Sequence, residues 1–276
     1  MEKERILVTV KTYPTLSTKY GDTVCTAGLR PDGTWVRIYP VPFRRLDQEQ
    51  QYKKFDWIEC QLVRNTKDRR PESFRPFDQL DLQTPVGHIG SDHCWRERRQ
   101  VILKTARVYD SLDEIIAGAK ANTMSLATFK PSQILDFTWK AEDREWPTDK
   151  VIQLQNATNQ PDLFTDNAWR ETFKIVNRLP YSFSYRFKDA NDRESNLQII
   201  DWETGALYWN CLRDADGDEQ KALQKVRQKY MDEFLKTDLH FFLGTLFQFH
   251  SVSPNPWLIV GVLPIPFEKQ IDLFAC

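Results

Sequence analysis

Short stretches of alternating apolar and polar residues, broken by turn residues, dominate the chain. Residues 5–11 (Arg-Ile-Leu-Val-Thr-Val-Lys) are rich in β-branched side chains and predict a strand, and residues 22–29 predict a second. Arg30-Pro31-Asp32-Gly33 then predicts a turn, because proline presets φ while Asp and Gly tolerate the reversal, and residues 34–39 alternate as a third strand. Pro40 and Pro42 are expected to end that strand, since neither donates to a ladder. Residues 55–65 alternate again, with Trp57, Glu59, Gln61 and Val63 on one face and Ile58, Cys60, Leu62 and Arg64 on the other. Residues 100–108 predict a further strand.

Helical signals are fewer. Ser111-Leu112-Asp113-Glu114 reads as a capping box opening a helix to about Ala121. Asp166 is placed to cap a helix to about Arg178, and Asp216 one running to about Leu235 through Ala222, Val226, Tyr230 and Phe234. Residues 128–140, 181–188, 197–202, 206–212, 240–249 and 257–263 read as strands or passages into strands. The polar stretch 140–166, with Pro147 and Pro161, makes the expected boundary between an N-terminal domain, 1–145, and a C-terminal domain, 146–276. Many short strands with few helices predict a mainly β, α+β protein of two small β-barrel units.

Composition narrows this picture. The chain has 276 residues, is 41% hydrophobic and has a net charge of −1, which is the profile of a folded protein. No apolar run approaches the roughly 20 residues of a membrane span, and Met1-Glu2-Lys3-Glu4-Arg5 opens no secretory signal. The five cysteines, Cys25, Cys60, Cys94, Cys211 and Cys276, are scattered without a Cys-x-x-Cys pair, so a cytoplasmic protein with reduced thiols is expected. The near-neutral charge conceals an asymmetry. Through Val108, 20 Lys and Arg face 14 Asp and Glu, a charge of +6; beyond it 18 face 25, a charge of −7. A basic N-terminal part suits a polyanionic ligand.

The chemistry of catalysis is mostly missing. There is no Gly-x-Gly-x-x-Gly, Walker A or Gly-x-Ser-x-Gly motif, which sets aside dinucleotide, P-loop and hydrolase-elbow readings. His88, His93 and Cys94 lie close together but lack a fourth partner for zinc, and Asp214 to Glu219 places its glycine wrongly for a calcium loop and suits a helix cap better. No metal or cofactor is expected. Asp201-Trp202-Glu203 is the one acidic pair with a catalytic reading: two carboxylates at a strand end could hold Mg²⁺ for phosphodiester cleavage. A nuclease of the restriction type would also want a lysine nearby, and Thr204-Gly205-Ala206 supplies none.

Basic and aromatic residues interleave along the N-terminal strands. Trp35, Arg37 and Tyr39 share one face of a predicted strand, opposite Val36 and Ile38; Arg44, Arg45, Lys53 and Lys54 follow. Single-stranded nucleic acid needs cations for its phosphates and flat rings for its bases. Trp35 and Tyr39 are therefore the stacking candidates, and Arg37, Arg44, Arg45, Lys53 and Lys54 the phosphate contacts.

Val24 to Leu29, Gly33 to Arg44 and Tyr52 to Glu59, with the later blocks Tyr181 to Phe187, Asp201 to Glu203 and Phe241 to Thr245, make the chain resemble the dual OB-fold domain family of bacterial proteins. The resemblance implies two OB-like barrels and a nucleic-acid-binding role, within systems acting against phages or mobile elements, and carries over no catalytic residues. OB barrels bind oligonucleotides across one barrel face and its loops. The expectation is a non-enzymatic binder of single-stranded DNA or RNA. The alternatives are a Mg²⁺-dependent nuclease using Asp201 and Glu203, and an adaptor that docks a partner protein.

Overall fold

In the computed structural model, residues 2–17, 21–46, 51–78, 85–159 and 175–267 are described. The first sheet is built from β1 (Glu4–Lys11), β2 (Thr15–Ser17), β3 (Gly21–Leu29), β4 (Trp35–Val41), β5 (Asp56–Cys60), β6 (Leu62–Arg64), β7 (Ser73–Pro76) and β8 (Gly87–His88). Its order is β6-β7-β4-β3-β1-β5-β8, with β2 added to β3, and it curls into a half-barrel. α1 (Asp92–Arg99) continues into a π-helical turn, Gln100–Lys104. β9 (Val108–Tyr109) starts the second sheet. α2 (Leu112–Lys120), β10 (Leu126–Phe129), β11 (Gln133–Ala141), α3 (Thr148–Asn159), β12 (Tyr181–Lys188) and β13 (Glu194–Ile199) follow. α4 (Trp202–Arg213), α5 (Glu219–Arg227), β14 (Asp238–Thr245) and β15 (Trp257–Ile265) complete the described chain. The second sheet, β11-β12-β13-β15-β14-β10-β9, stays open. The expected mainly β, mixed α+β class is borne out. The first sheet is a half-barrel and the second does not close.

Three sequence readings give way to tertiary packing. Residues 206–212 belong to helix α4: Thr204, Tyr208 and Cys211 recur at helical spacing and are its buried positions. Residues 100–104 are helical too, and Val108 and Tyr109 alone pair as strand in that stretch. β4 runs through Pro40 to Val41, which pairs with Val24, because the proline falls at the register shift between Val24 and Thr26 where no ladder bond is needed. The caps also move. Asp189, remote in sequence, accepts the Leu112 N–H at the start of α2, while Ser111 makes no cap bond. Asp218 caps α5 and not Asp216, accepting from the Lys221 N–H. The helix expected over 166–178 falls largely outside the described residues.

A burial pattern explains how the two sheets meet. On β1, Ile6 and Val8 join one core with Val24, Val36 and Ile58, while Leu7 and Val10 face the other way. That second face of β1 shares a core with Phe242, Val260, Leu263 and Ile265 of the second sheet and with Ile102 of the π turn. Each fully buried side chain of this kind is worth about 1.5–3 kcal/mol, so the sheets are held by a common apolar layer. The C-terminal sheet has its own, larger core around Phe137, Tyr185, Tyr208 and Phe241. Among the described residues no helix is long and apolar enough to cross a membrane.

Candidate functional site

Where β1 ends, the first sheet is stitched to the second. Thr12 forms an isolated antiparallel bridge with Asp201, and the Tyr13 N–H donates to the Ile200 carbonyl at 2.9 Å. The Tyr13 ring then lies directly on α4 at Gly205, where a Cβ would come within 2.4 Å of it, and its hydroxyl accepts from Trp209 Nε1 at 2.8 Å. This stitch sets Lys11, the last residue of β1, beside Trp202, the first residue of α4. The Lys11 Nζ stands 3.9 Å from the Phe43 ring centroid and 4.5 Å from that of Trp202.

Asp201 caps α4, its side chain accepting the Glu203 N–H at 3.4 Å. Lys54 reaches across from the first sheet and donates to Asp201 Oδ2 at 3.3 Å, Glu203 Oε2 at 3.0 Å and the Val262 carbonyl at 3.3 Å. Lys54 and Asp201 are buried, whereas the Glu203 side chain is 58% exposed. Burial would lower the Lys54 ammonium, but Asp201 and Glu203 outweigh it and the net shift is upward. Burial raises the Asp201 carboxyl to about 6 against the pull of Lys54. Burial likewise brings Lys11 down to about 8, against the opposing charges of Glu203, Asp201 and Asp56 and with the help of Lys54.

The far wall is aromatic. Phe55 takes a left-handed φ of 70°, uncommon for a bulky residue, and its ring meets Trp95 edge-on at 6.0 Å. The Arg98 guanidinium covers both, 3.9 Å from the Phe55 centroid and 4.5 Å from that of Trp95, while its Nε donates to the Ile89 carbonyl. Between these walls opens a cleft of about 730 Å³. Among the described residues, Lys11, Lys53, Lys54, Arg98 and Lys229 line it against Asp201 and Glu203, so its fixed charge is positive. Cations and flat rings therefore converge on one concavity between the two sheets.

The residues expected from sequence separate in the structure. Arg37 is 2% exposed and donates to Ser125 Oγ at 2.6 Å, the Ser125 carbonyl at 2.9 Å and Ser73 Oγ at 3.4 Å, which leaves it no face for a phosphate. Trp35 packs edge-on against Phe242 at 5.6 Å in the layer between the sheets. Tyr39 alone of that trio is open to solvent. The alternation on β4 is real, but the second sheet covers its odd-numbered face at Trp35 and Arg37. Arg44 Nη1 holds Asp22 at 2.6 Å, and Arg45 sits in the 3-10 turn Phe43–Arg45, its side chain outside the described ones. Lys53 and Lys54 do reach the cleft, one exposed and one buried. Lys11, Arg98 and Lys229, which no motif marks, join them. The one sequence clue is a lysine closing the largely β-branched, wholly buried run Ile6–Val10.

The carboxylate pair is also resolved chemically. The lysine that the segment after Asp201 lacks comes from Lys54, and its ammonium bridges Asp201 and Glu203 where a divalent ion would have to lie. Among the described residues no group of three or more His, Cys, Asp or Glu side chains gathers to hold a metal. The pair therefore fits a neutralised, cap-forming role better than a Mg²⁺ site.

A curled sheet and an open sheet enclosing one basic cleft define the class of molecule: a two-part α+β protein with its concavity at the junction. Residues 2–104 match the family described as Domain of unknown function (DUF8758). Residues 108–276, more than half of the chain, match the Domain of unknown function (DUF8757), and the chain belongs to that family. No curated protein matches it.

Proposed function

We infer that the protein binds single-stranded nucleic acid, without cleaving it, across the cleft between its two sheets. The observation that supports this reading is the convergence of Lys11, Lys53, Arg98 and Lys229 with the half-buried rings of Trp95 and Trp202 around one opening, Lys54 being held by Asp201 and Glu203. Phosphates take the ammonium and guanidinium groups, and bases find π faces whose stacking is worth about 1–3 kcal/mol each. The size is suitable, since about 730 Å³ admits a nucleotide unit but not a duplex about 20 Å across. The OB-type reading of the first sheet belongs to the same proposal: a curled sheet offers one concave face to the strand.

The test is an anisotropy titration with labelled single-stranded DNA, single-stranded RNA and duplex at low and moderate salt. Binding of the single strands that weakens linearly with the logarithm of salt is expected. Absence of binding to all three at low salt would overturn the reading. Mg²⁺-dependent cleavage lost in Asp201→Asn would instead favour the nuclease.

A further inference from the structure

The five cations of the cleft are not chemically equivalent. Lys54 is fixed by three oxygen acceptors, Lys229 pairs with Glu233, Arg98 is a guanidinium stacked on two rings, and Lys53 stands in solvent. Lys11 differs from them all. It is half-buried, its Nζ rests over the faces of Phe43 and Trp202, and among the described residues no acceptor or carboxylate comes within bonding distance of it. An amine without an oxygen partner, held at the lip of a cavity by ring faces, has nothing to restrain its lone pair once the proton leaves. We propose that Lys11 is the nucleophile of the cleft and condenses with an aldehyde on an anionic ligand, the opened sugar of an abasic nucleotide in a single strand.

This deepens the nucleic-acid reading and rests on it for the class of ligand. Phosphodiesters, intact sugars and bases offer an amine no carbonyl with which it condenses readily. A sugar that has lost its base does, because it opens to an aldehyde at C1′. Aromatic side chains such as Trp202 supply the stacking surface that the missing base leaves vacant. The surroundings agree with the assignment. Glu203, Asp201 and Asp56 favour the ammonium, Lys54 opposes it, and burial outweighs the three carboxylates, bringing Lys11 to about 8. At pH 7 about a tenth of the amine is then neutral, against well under a thousandth for an ordinary lysine.

The step balances without any redox partner. The neutral Nζ attacks C1′, a C–N bond forms, and the carbonyl oxygen takes up the proton that the nitrogen releases. The carbinolamine loses water to leave the imine, so amine and aldehyde become imine and water.

The experiment uses the full chain, a single-stranded oligonucleotide with one abasic site, its intact counterpart and borohydride, whose hydride reduces the imine to a stable amine. The expected result is a covalent adduct with the abasic strand alone, mapped to Lys11 by peptide mass spectrometry. It should fall at least tenfold in Lys11→Arg and in Lys11→Gln but persist in Lys120→Arg, a change on the exposed face of α2. The trapping rate should rise through pH 8. An adduct undiminished in both Lys11 variants, or mapped to another lysine, overturns the proposal. So does intact binding of both strands without trapping, which leaves the nucleic-acid reading standing. Failure of both strands to bind at low salt overturns both readings.

Discussion

Arg37 of β4 and Ser125, the residue preceding β10, are joined across the two sheets by two hydrogen bonds from one guanidinium, to the Ser125 Oγ at 2.6 Å and to its carbonyl at 2.9 Å. Glu72 completes the arrangement by accepting from the Ser125 N–H at 2.9 Å. A guanidinium in this position holds the sheets together and carries no ligand. Arg37→Ala removes the buried donor to the Ser125 hydroxyl and carbonyl and to Ser73, and should lower stability by about 3 kcal/mol. Urea unfolding measures that loss, and nucleic-acid affinity per folded molecule should stay within twofold. A tenfold loss of affinity without loss of stability would return Arg37 to the phosphate role read from sequence.

Lys54 bridges two carboxylates, so its removal should be felt in a pH-dependent way. Lys54→Met leaves Asp201 buried without its cation, so that at neutral pH it must either stay charged or take up a proton, and should cost about 3 kcal/mol there. Asp201 has a folded pKa above its unfolded one, so stability tied to its protonation is present below about 3.8 and lost as pH rises through about 6. Removing the cation raises that carboxyl further. The deficit of Lys54→Met should therefore be largest above pH 7 and shrink toward pH 4 in urea titrations.

Asp68 behaves in the opposite sense. Burial pushes its carboxyl up, but the Arg70 guanidinium and the Ser73 hydroxyl outweigh it and hold it down at about 2. The stabilisation is present above the unfolded value of 3.8 and disappears as pH falls through about 2. Asp68→Asn should cost about 2 kcal/mol at pH 7 and only about 0.4 kcal/mol at pH 2, read as the gap between the two unfolding curves.

Gly33 closes the β3–β4 turn at φ +83°, and a Cβ there would come within 2.2 Å of the Thr105 carbonyl oxygen. Both the left-handed backbone and the contact forbid a side chain. Gly33→Ala should lower stability by roughly 3 kcal/mol, visible as a lower thermal midpoint.

Lys53 is the exposed cation of the cleft and makes no side-chain bond that the fold depends on. Lys53→Ala should leave the thermal midpoint unchanged and reduce the salt slope of single-strand binding by about 0.7. An unchanged slope would place the phosphate path elsewhere.

Local structure was legible where one element's own pattern decided it. The strands β1, β3, β5 and β12 and the inward faces of Ile58, Cys60 and Leu62 follow from alternation alone. Residues 206–212 misled because Leu207-Tyr208-Trp209 carries strand-favouring aromatics, while the buried spacing of Thr204, Tyr208 and Cys211 is seen only once α4 is packed. Trp35, Arg37 and Tyr39 do share a face, but the second sheet, which begins some seventy residues later, closes it over Trp35 and Arg37 and leaves Tyr39 exposed. Lys54 was marked for its charge, yet nothing local shows that it meets Asp201 and Glu203. Lys11 and Arg98 reach the cleft through the Thr12–Asp201 stitch and the turn of α1, which are long-range facts.

The family matches divide the chain between Lys104 and Val108, but the apolar layer made by Leu7, Val10, Ile102, Phe242, Val260 and Leu263 belongs to neither side alone. Cut there, each fragment would present a raw, sticky surface to water. The two regions therefore behave as one folding unit, and either half made alone is expected to aggregate where the two made together do not.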